Sequence, residues 1–214
     1  SGYPANDPDF MENVRAEAVD NVRRLHHRAS LALWCGNNEL EQGLVEWGRQ
    51  EWESGKSMPE PDYLKLFDEL IPSVVNAEDG VTAYWPSSGH TPGAGRGDCY
   101  DDGAGDAHYW SVWFGNQPIE SQRDWKCRFM SEFGFQSFPE PRTVDSFTAA
   151  EDRSQVNWIM DYHQRSGPGN QTIFKYLLAW FPLPKDFSNT LWMTQMIQAI
   201  CIQVAAEHAR RIQG

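Results

Sequence analysis

Short apolar runs set between helical stretches constrain this chain more than any other feature. Over residues 10–25, Phe10, Met11, Val14, Ala18, Val22 and Leu25 recur at helical spacing, while Glu12, Asp20 and Arg23 take the opposite face. Asp7 suits the N-cap and Pro8 the first turn. Arg23, Arg24, His26, His27 and Arg28 crowd the far end, where they suit the helix dipole. Residues 31–34 follow at once as an apolar run too short for a helix, which reads as a buried strand. The alternation then continues. Residues 40–51 and 63–71 read as helices, with Pro72 marking the end of the second. Residues 81–85 read as a strand closed by Pro86, and residues 108–113 and 129–132 as two more. From Val144 the pattern is mostly helical, and residues 189–212 form a last helix with Trp192, Met196, Ile200, Val204 and His208 along one stripe. Helix alternating with short buried strand predicts an α/β chain with a mainly parallel sheet. Four strands with their crossovers make half of an eight-stranded barrel rather than a closed fold.

Composition narrows the partners. A net charge of -12 over 214 residues argues against nucleic acid and against an anionic membrane surface. No stretch approaches the roughly 18 uninterrupted apolar residues of a membrane span. Cys35, Cys99, Cys127 and Cys201 are scattered, with no C-x-x-C pair, so no zinc site is expected and a reduced compartment is the simpler reading. The start, Ser1-Gly2-Tyr3-Pro4, is not a signal peptide and lacks an initiator Met, so a processed or cut chain is expected. Ten Trp, seven Tyr and eleven Phe fit core packing, and they also fit a sugar site, where pyranose C–H faces pack on rings. The long stretch 87–105 is rich in Gly and Asp and reads as a loop. Asp98, Asp101, Asp102 and Asp106 lack the spacing of a calcium loop, so a solvated acidic loop is expected there.

Two of the apolar runs end on a carboxylate: Leu31-Ala32-Leu33-Trp34-Cys35-Gly36-Asn37-Asn38-Glu39 and Arg128-Phe129-Met130-Ser131-Glu132-Phe133-Gly134-Phe135. A glutamate at the end of a buried strand is held rigidly at the rim of a sheet. Two such glutamates facing one pocket are the minimum equipment for cleaving a glycosidic bond. Each has a competing reading. Asn38-Glu39 suits a helix N-terminus, and Glu132 suits a partly buried, hydrogen-bonded carboxylate.

These residues resemble a known family. Trp34-Cys35-Gly36-Asn37-Asn38-Glu39 is similar to the acid/base signature of glycoside hydrolase family 2, and residues 128–137 are similar to its nucleophile signature. The likeness is nearest to the β-mannosidase subgroup. It is carried further by Glu46-Trp47-Gly48, by Gly105-Asp106-Ala107-His108-Tyr109-Trp110-Ser111-Val112-Trp113 and by Gly134-Phe135-Gln136-Ser137-Phe138-Pro139. The resemblance implies the later half of a (β/α)8 TIM barrel. Residues 31–34, 81–85, 108–113 and 129–131 would be strands four to seven, with both glutamates at the C-terminal face. It also implies a single catalytic barrel domain over residues 1–214, without the N-terminal β-sandwich domains and strands one to three and eight. Such a half is expected to need the missing part of the barrel or self-association.

The chemistry implied is retaining exo-hydrolysis of terminal β-D-mannose from a β-mannoside or manno-oligosaccharide, with no cofactor and no metal. Glu132 would be the nucleophile and Glu39 the acid/base, with their carboxyls about 5–5.5 Å apart. Asn38 would hydrogen-bond the sugar 2-hydroxyl. Trp47, Trp110 and Trp113 resemble aromatic positions near the sugar, with core packing as the competing reading. His108 would contact substrate or orient Glu132, against the alternative of a satisfied buried histidine. Phe114 stands where some relatives have a hydroxyl-bearing Tyr. Two other functions stay open: a β-galactosidase or β-glucuronidase of the same family, and a non-catalytic half-barrel that binds sugar or self-assembles.

Overall fold

The computed structural model describes residues 3–43, 58–93, 101, 103–154 and 157–213. The chain separates into two compact units. The first comprises Ser1–Ala107 with Cys127–Ser131, the second His108–Lys126 with Glu132–Gly214.

In the first unit, α1 spans Pro8–Leu25. Asp7 caps it, its carboxylate accepting from the N–H groups of Asp9 and Phe10, as the Asp-Pro pair predicts. Phe10, Met11 and Val14 pack on a core of Met58, Tyr63, Leu66, Phe67 and Leu70. After α2 (Leu40–Gln42), a helical rod runs through α3 (Glu60–Tyr63), a π-helical segment (Leu64–Leu70) and α4 (Ile71–Glu78). Pro72 does not end this rod, contrary to the sequence reading. A proline ring in a regular helix clashes with the carbonyl four residues back and removes a donor. Here the preceding turns are wound wider, with Ile71 N–H donating to the carbonyl of Leu66, and the rod continues. The Arg23 guanidinium clasps the Glu78 carboxylate at 2.6 and 2.9 Å and holds that carboxyl below its usual range. Both groups are exposed, so the pair adds little stability.

The strands are shorter than the apolar runs. β1 is Trp34–Cys35 and β2 is Tyr84–Trp85, paired in parallel with Trp34 opposite Tyr84 and Cys35 opposite Trp85. An isolated parallel bridge between Asn38 and Ser88 continues the register. Side chains tie this small sheet down. Trp34 Nε1 donates to Asp79 Oδ2 at 2.7 Å, and the Tyr84 hydroxyl donates to the carbonyl of Phe67 at 2.6 Å. A Cβ at Gly36 would overlap that hydroxyl and the carbonyl of Pro86, so this close approach requires glycine. β3 (Ala107–Tyr109) and β4 (Met130–Phe133) form the other two-stranded sheet. Residues 111–115 turn instead of continuing the strand expected to 113, with the N–H groups of Phe114 and Gly115 both reaching the carbonyl of Trp110.

The second unit is helical around an apolar core. α5 (Pro141–Asp145), α6 (Trp158–His163), α7 (Gly169–Trp180) and α8 (Phe187–Gln213) surround Val112, Trp113, Phe135, Val144, Ile173 and Ile197. The Tyr176 hydroxyl donates towards the carbonyls of Val112 and Gln117, and burial pushes its phenol up to about 12. The stripe assigned to the last helix is displaced by about one residue. Trp192 is 57% exposed, while Leu191, Thr194, Ile197, Cys201, Ala205 and His208 are buried. Small and hydroxyl side chains on that face let the helix approach its neighbours closely, and Ile200 and Val204 flank the contact. No helix among the described residues is long and apolar enough to cross a membrane.

Candidate functional site

Glu39 lies where the chain leaves β1 and enters α2, in the left-handed conformation with φ at 56°. That region is unfavourable for a residue with a Cβ and tends to occur where a side chain must be aimed. Its neighbours over-determine it. The Glu39 N–H donates to the carbonyl of Ser88 at 2.6 Å, and the Ser88 N–H donates to the carbonyl of Asn37 at 2.9 Å. Asn37 is the anchor. Its Oδ1 accepts from Leu40 N–H at 3.0 Å and from Ser87 Oγ at 2.8 Å. Its Nδ2 donates to the carbonyl of Pro86 at 2.7 Å and to the Tyr63 hydroxyl at 3.3 Å. The competing helix-cap reading is therefore half right. The capping side chain belongs to Asn37, and Glu39 makes no capping bond. Asn38 and Glu39 both line a cavity of about 890 Å³ within the first unit, together with Phe10, Val14, Leu66 and Phe67. Two residues on, Glu41 is 2% exposed and its Oε2 lies 3.3 Å from His90 Nδ1.

Glu132 sits in β4, in the second unit, with 31% of its side chain exposed. His108, from β3 of the same unit, places Nδ1 3.5 Å from Glu132 Oε2, and its ring is 4% exposed. That separation is at the outer limit for a hydrogen bond. Trp110 is half-buried, its ring edge-on to Phe114. Trp113 is 3% exposed and meets Phe135 edge-to-face at 5.1 Å, the placement of a packing residue. Trp47 lies outside the described residues, as do Asp98 and Asp102.

Sequence reasoning missed Asp106. Assigned to a solvated acidic loop, it is 1% exposed and accepts hydrogen bonds from the hydroxyls of Ser88 and Ser131 and from His90 N–H. The start of the expected loop is likewise buried, with Ser87 and Thr91 at 0% and 4% exposure. The available signal was Gly105-Asp106 directly ahead of an apolar strand. Gly105 has φ +75°, and a Cβ there would overlap the backbone of His90, so only glycine lets Asp106 pair with His90.

No family model matches the chain. β-Mannosidase B of Neosartorya fischeri is 32% identical over 202 residues, covering 90% of this chain and 23% of that protein. β-Mannosidase B of Aspergillus niger is 32% identical over 201 residues, with the same coverage. The crystal structure of a β-D-mannosidase from Dictyoglomus thermophilum superposes with a TM-score of 0.74 at 27% identity, covering 94% of this chain and 24% of that one. The chain thus spans about a quarter of the length of these relatives, and over nine-tenths of its own length it is similar to a segment of β-mannosidases.

Proposed function

We propose that the chain is the part of a retaining exo-β-mannosidase that carries both catalytic carboxylates. The supporting observation is the likeness to β-mannosidases over 90% of the chain, a span that contains both glutamates. On this reading it supplies strands four to seven of a (β/α)8 barrel of glycoside hydrolase family 2. The remaining strands come from the rest of a longer chain or from self-association.

Glu132 attacks the anomeric carbon of a terminal β-mannose. A bond forms from its carboxylate oxygen to that carbon as the glycosidic C–O bond breaks. Glu39 gives its proton to the leaving oxygen. Water then attacks the anomeric carbon, Glu39 takes the water proton, and the ester bond to Glu132 breaks, so the configuration is retained. Asn38 hydrogen-bonds the 2-hydroxyl. His108 fixes the Glu132 carboxylate. Trp110 and Trp47 supply ring faces to the sugar, and Trp113 is assigned to packing.

The test is hydrolysis of p-nitrophenyl β-D-mannopyranoside by the full-length protein carrying this segment, with the β-galactoside and β-glucuronide as comparisons. Preferential cleavage of the mannoside, with β-mannose as the first product by NMR and no turnover in Glu132→Ala, is the expected result. Preference for another glycoside reassigns the substrate. An inverted product removes Glu132 as nucleophile. Sugar binding without any turnover would favour a non-catalytic role.

A further inference from the structure

Asp106 is a carboxylate almost wholly removed from water, and burying a charge is costly unless it is fully hydrogen-bonded. Its bonds are few and directed. Oδ2 accepts from Ser131 Oγ at 2.5 Å and from Ser88 Oγ at 2.7 Å, and Oδ1 accepts from His90 N–H at 2.7 Å. An ionised carboxylate only accepts, so it fixes the proton direction of both hydroxyls, and such charge-assisted bonds are short and strong.

The two hydroxyls lie beside the proposed catalytic residues. Ser131 is the residue immediately before Glu132. Ser88 accepts the N–H of Glu39 on its carbonyl and bridges Asn38 in parallel register. The hydroxyls also lie 3.4 Å from each other. A single buried carboxylate is thus one hydrogen bond from the backbone partner of Glu39 and one from the neighbour of Glu132.

We propose that Asp106 is a positioning residue for both glutamates, holding the backbone that carries Glu132 through Ser131 and the backbone that carries Glu39 through Ser88. It touches no substrate. It removes the freedom of both segments to drift, and a misplacement of about 1 Å at a reacting group costs about a hundredfold in rate. The inference rests on the roles given above to Glu39 and Glu132.

The experiment compares the wild type, Asp106→Asn, Ser131→Ala, Ser131→Thr and the double variant Asp106→Asn/Ser131→Ala in the full-length protein, with Glu132→Ala as the control. A 2-deoxy-2-fluoro-β-mannosyl fluoride traps the glycosyl-enzyme, and intact mass counts the chains able to form it. The turnover rate is then expressed per competent chain, which a loss of folded protein alone does not change. Asp106→Asn and Ser131→Ala are expected to label to completion while losing about 10- to 100-fold in kcat per site. Ser131→Thr, which keeps the hydroxyl, is expected to restore kcat to within about threefold. Asp106→Asn, which also loosens Ser88, is expected to lose at least as much as Ser131→Ala, and the double variant little more than Asp106→Asn alone, as coupled groups do.

The proposal is overturned if Asp106→Asn and Ser131→Ala turn over at the wild-type rate per competent chain. It is equally overturned if their loss is wholly a loss of competent chains, or if the two losses multiply. Should Asp106→Asn not fold, the pair Ser131→Ala and Ser131→Thr decides. Full activity in Glu132→Ala would instead remove the catalytic reading itself. An inactive Glu132→Ala beside fully active serine and aspartate variants removes only the role of Asp106.

Discussion

The two glutamates are held in opposite ways. Glu132 lies in a regular strand, where any residue fits the backbone and a buried imidazole from β3 faces its side chain. Glu39 lies in a left-handed turn that a glutamate adopts reluctantly, fixed by backbone bonds to Ser88 and by the amide of Asn37. One carboxylate has a histidine beside it, and the other stands on a main chain fixed by its neighbours. Rigidity at a strand end does not require strand geometry. A short, heavily hydrogen-bonded turn supplies it too, at a cost in backbone energy that the rest of the first unit offsets.

The largest effect that tests this contrast is the loss of the proposed nucleophile. Glu132→Ala is expected to bring mannoside hydrolysis below detection while the far-ultraviolet circular dichroism spectrum stays unchanged. Retained turnover would place the nucleophile elsewhere. Next is Glu39→Gln. Acid catalysis is worth about 10²- to 10⁴-fold, so hydrolysis of a substrate with a poor leaving group should fall by that factor. A dinitrophenyl leaving group needs no proton and should recover most of the glycosylation rate. An equal loss with both substrates would contradict the acid/base role.

The third prediction has opposite signs at the two sites. Glu39→Gly relieves a left-handed residue and is expected to raise stability by about 1 kcal/mol. Glu132→Gly places glycine in a strand and is expected to lower stability by about 1 kcal/mol. Both variants lose activity, and urea denaturation reads the stabilities. Changes of the same sign would erase the contrast. The smallest effect is that of Tyr63→Phe, which removes the hydroxyl beside Asn37 Nδ2 and is expected to cost about 0.5–1.5 kcal/mol. A melting temperature equal to that of the wild type would show that Asn37 holds without it.

Much of this was legible in the residues. The Asp7 cap and the helical run of α1 follow from local chemistry that the chain carries on its face. What was not legible depends on contacts between distant segments. Pro72 signals a helix end by itself, and only the wider turns before it, which no single residue announces, let the rod continue. The last helix turns its Thr, Cys and Ala positions inward because close approach rewards small side chains, whereas a hydropathy reading favours Trp192. Asp106 reads as solvated among its acidic neighbours in the sequence, because its partners Ser88 and Ser131 lie 18 and 25 residues away.

The amide of Asn37 makes two donations and two acceptances, which exhausts its hydrogen-bonding capacity. That saturation gives the molecule a vulnerability to age. Deamidation exchanges one NH2 group for oxygen and leaves the volume almost unchanged. Yet it would set a negative oxygen against the carbonyl of Pro86, now 2.7 Å from a donor, and leave that carbonyl without its proton. The turn bearing Glu39 would lose its anchor with no change in size to betray it. Stored protein is therefore expected to lose activity in step with a mass gain of about one dalton in the peptide containing Asn37, the signature of NH2 replaced by OH.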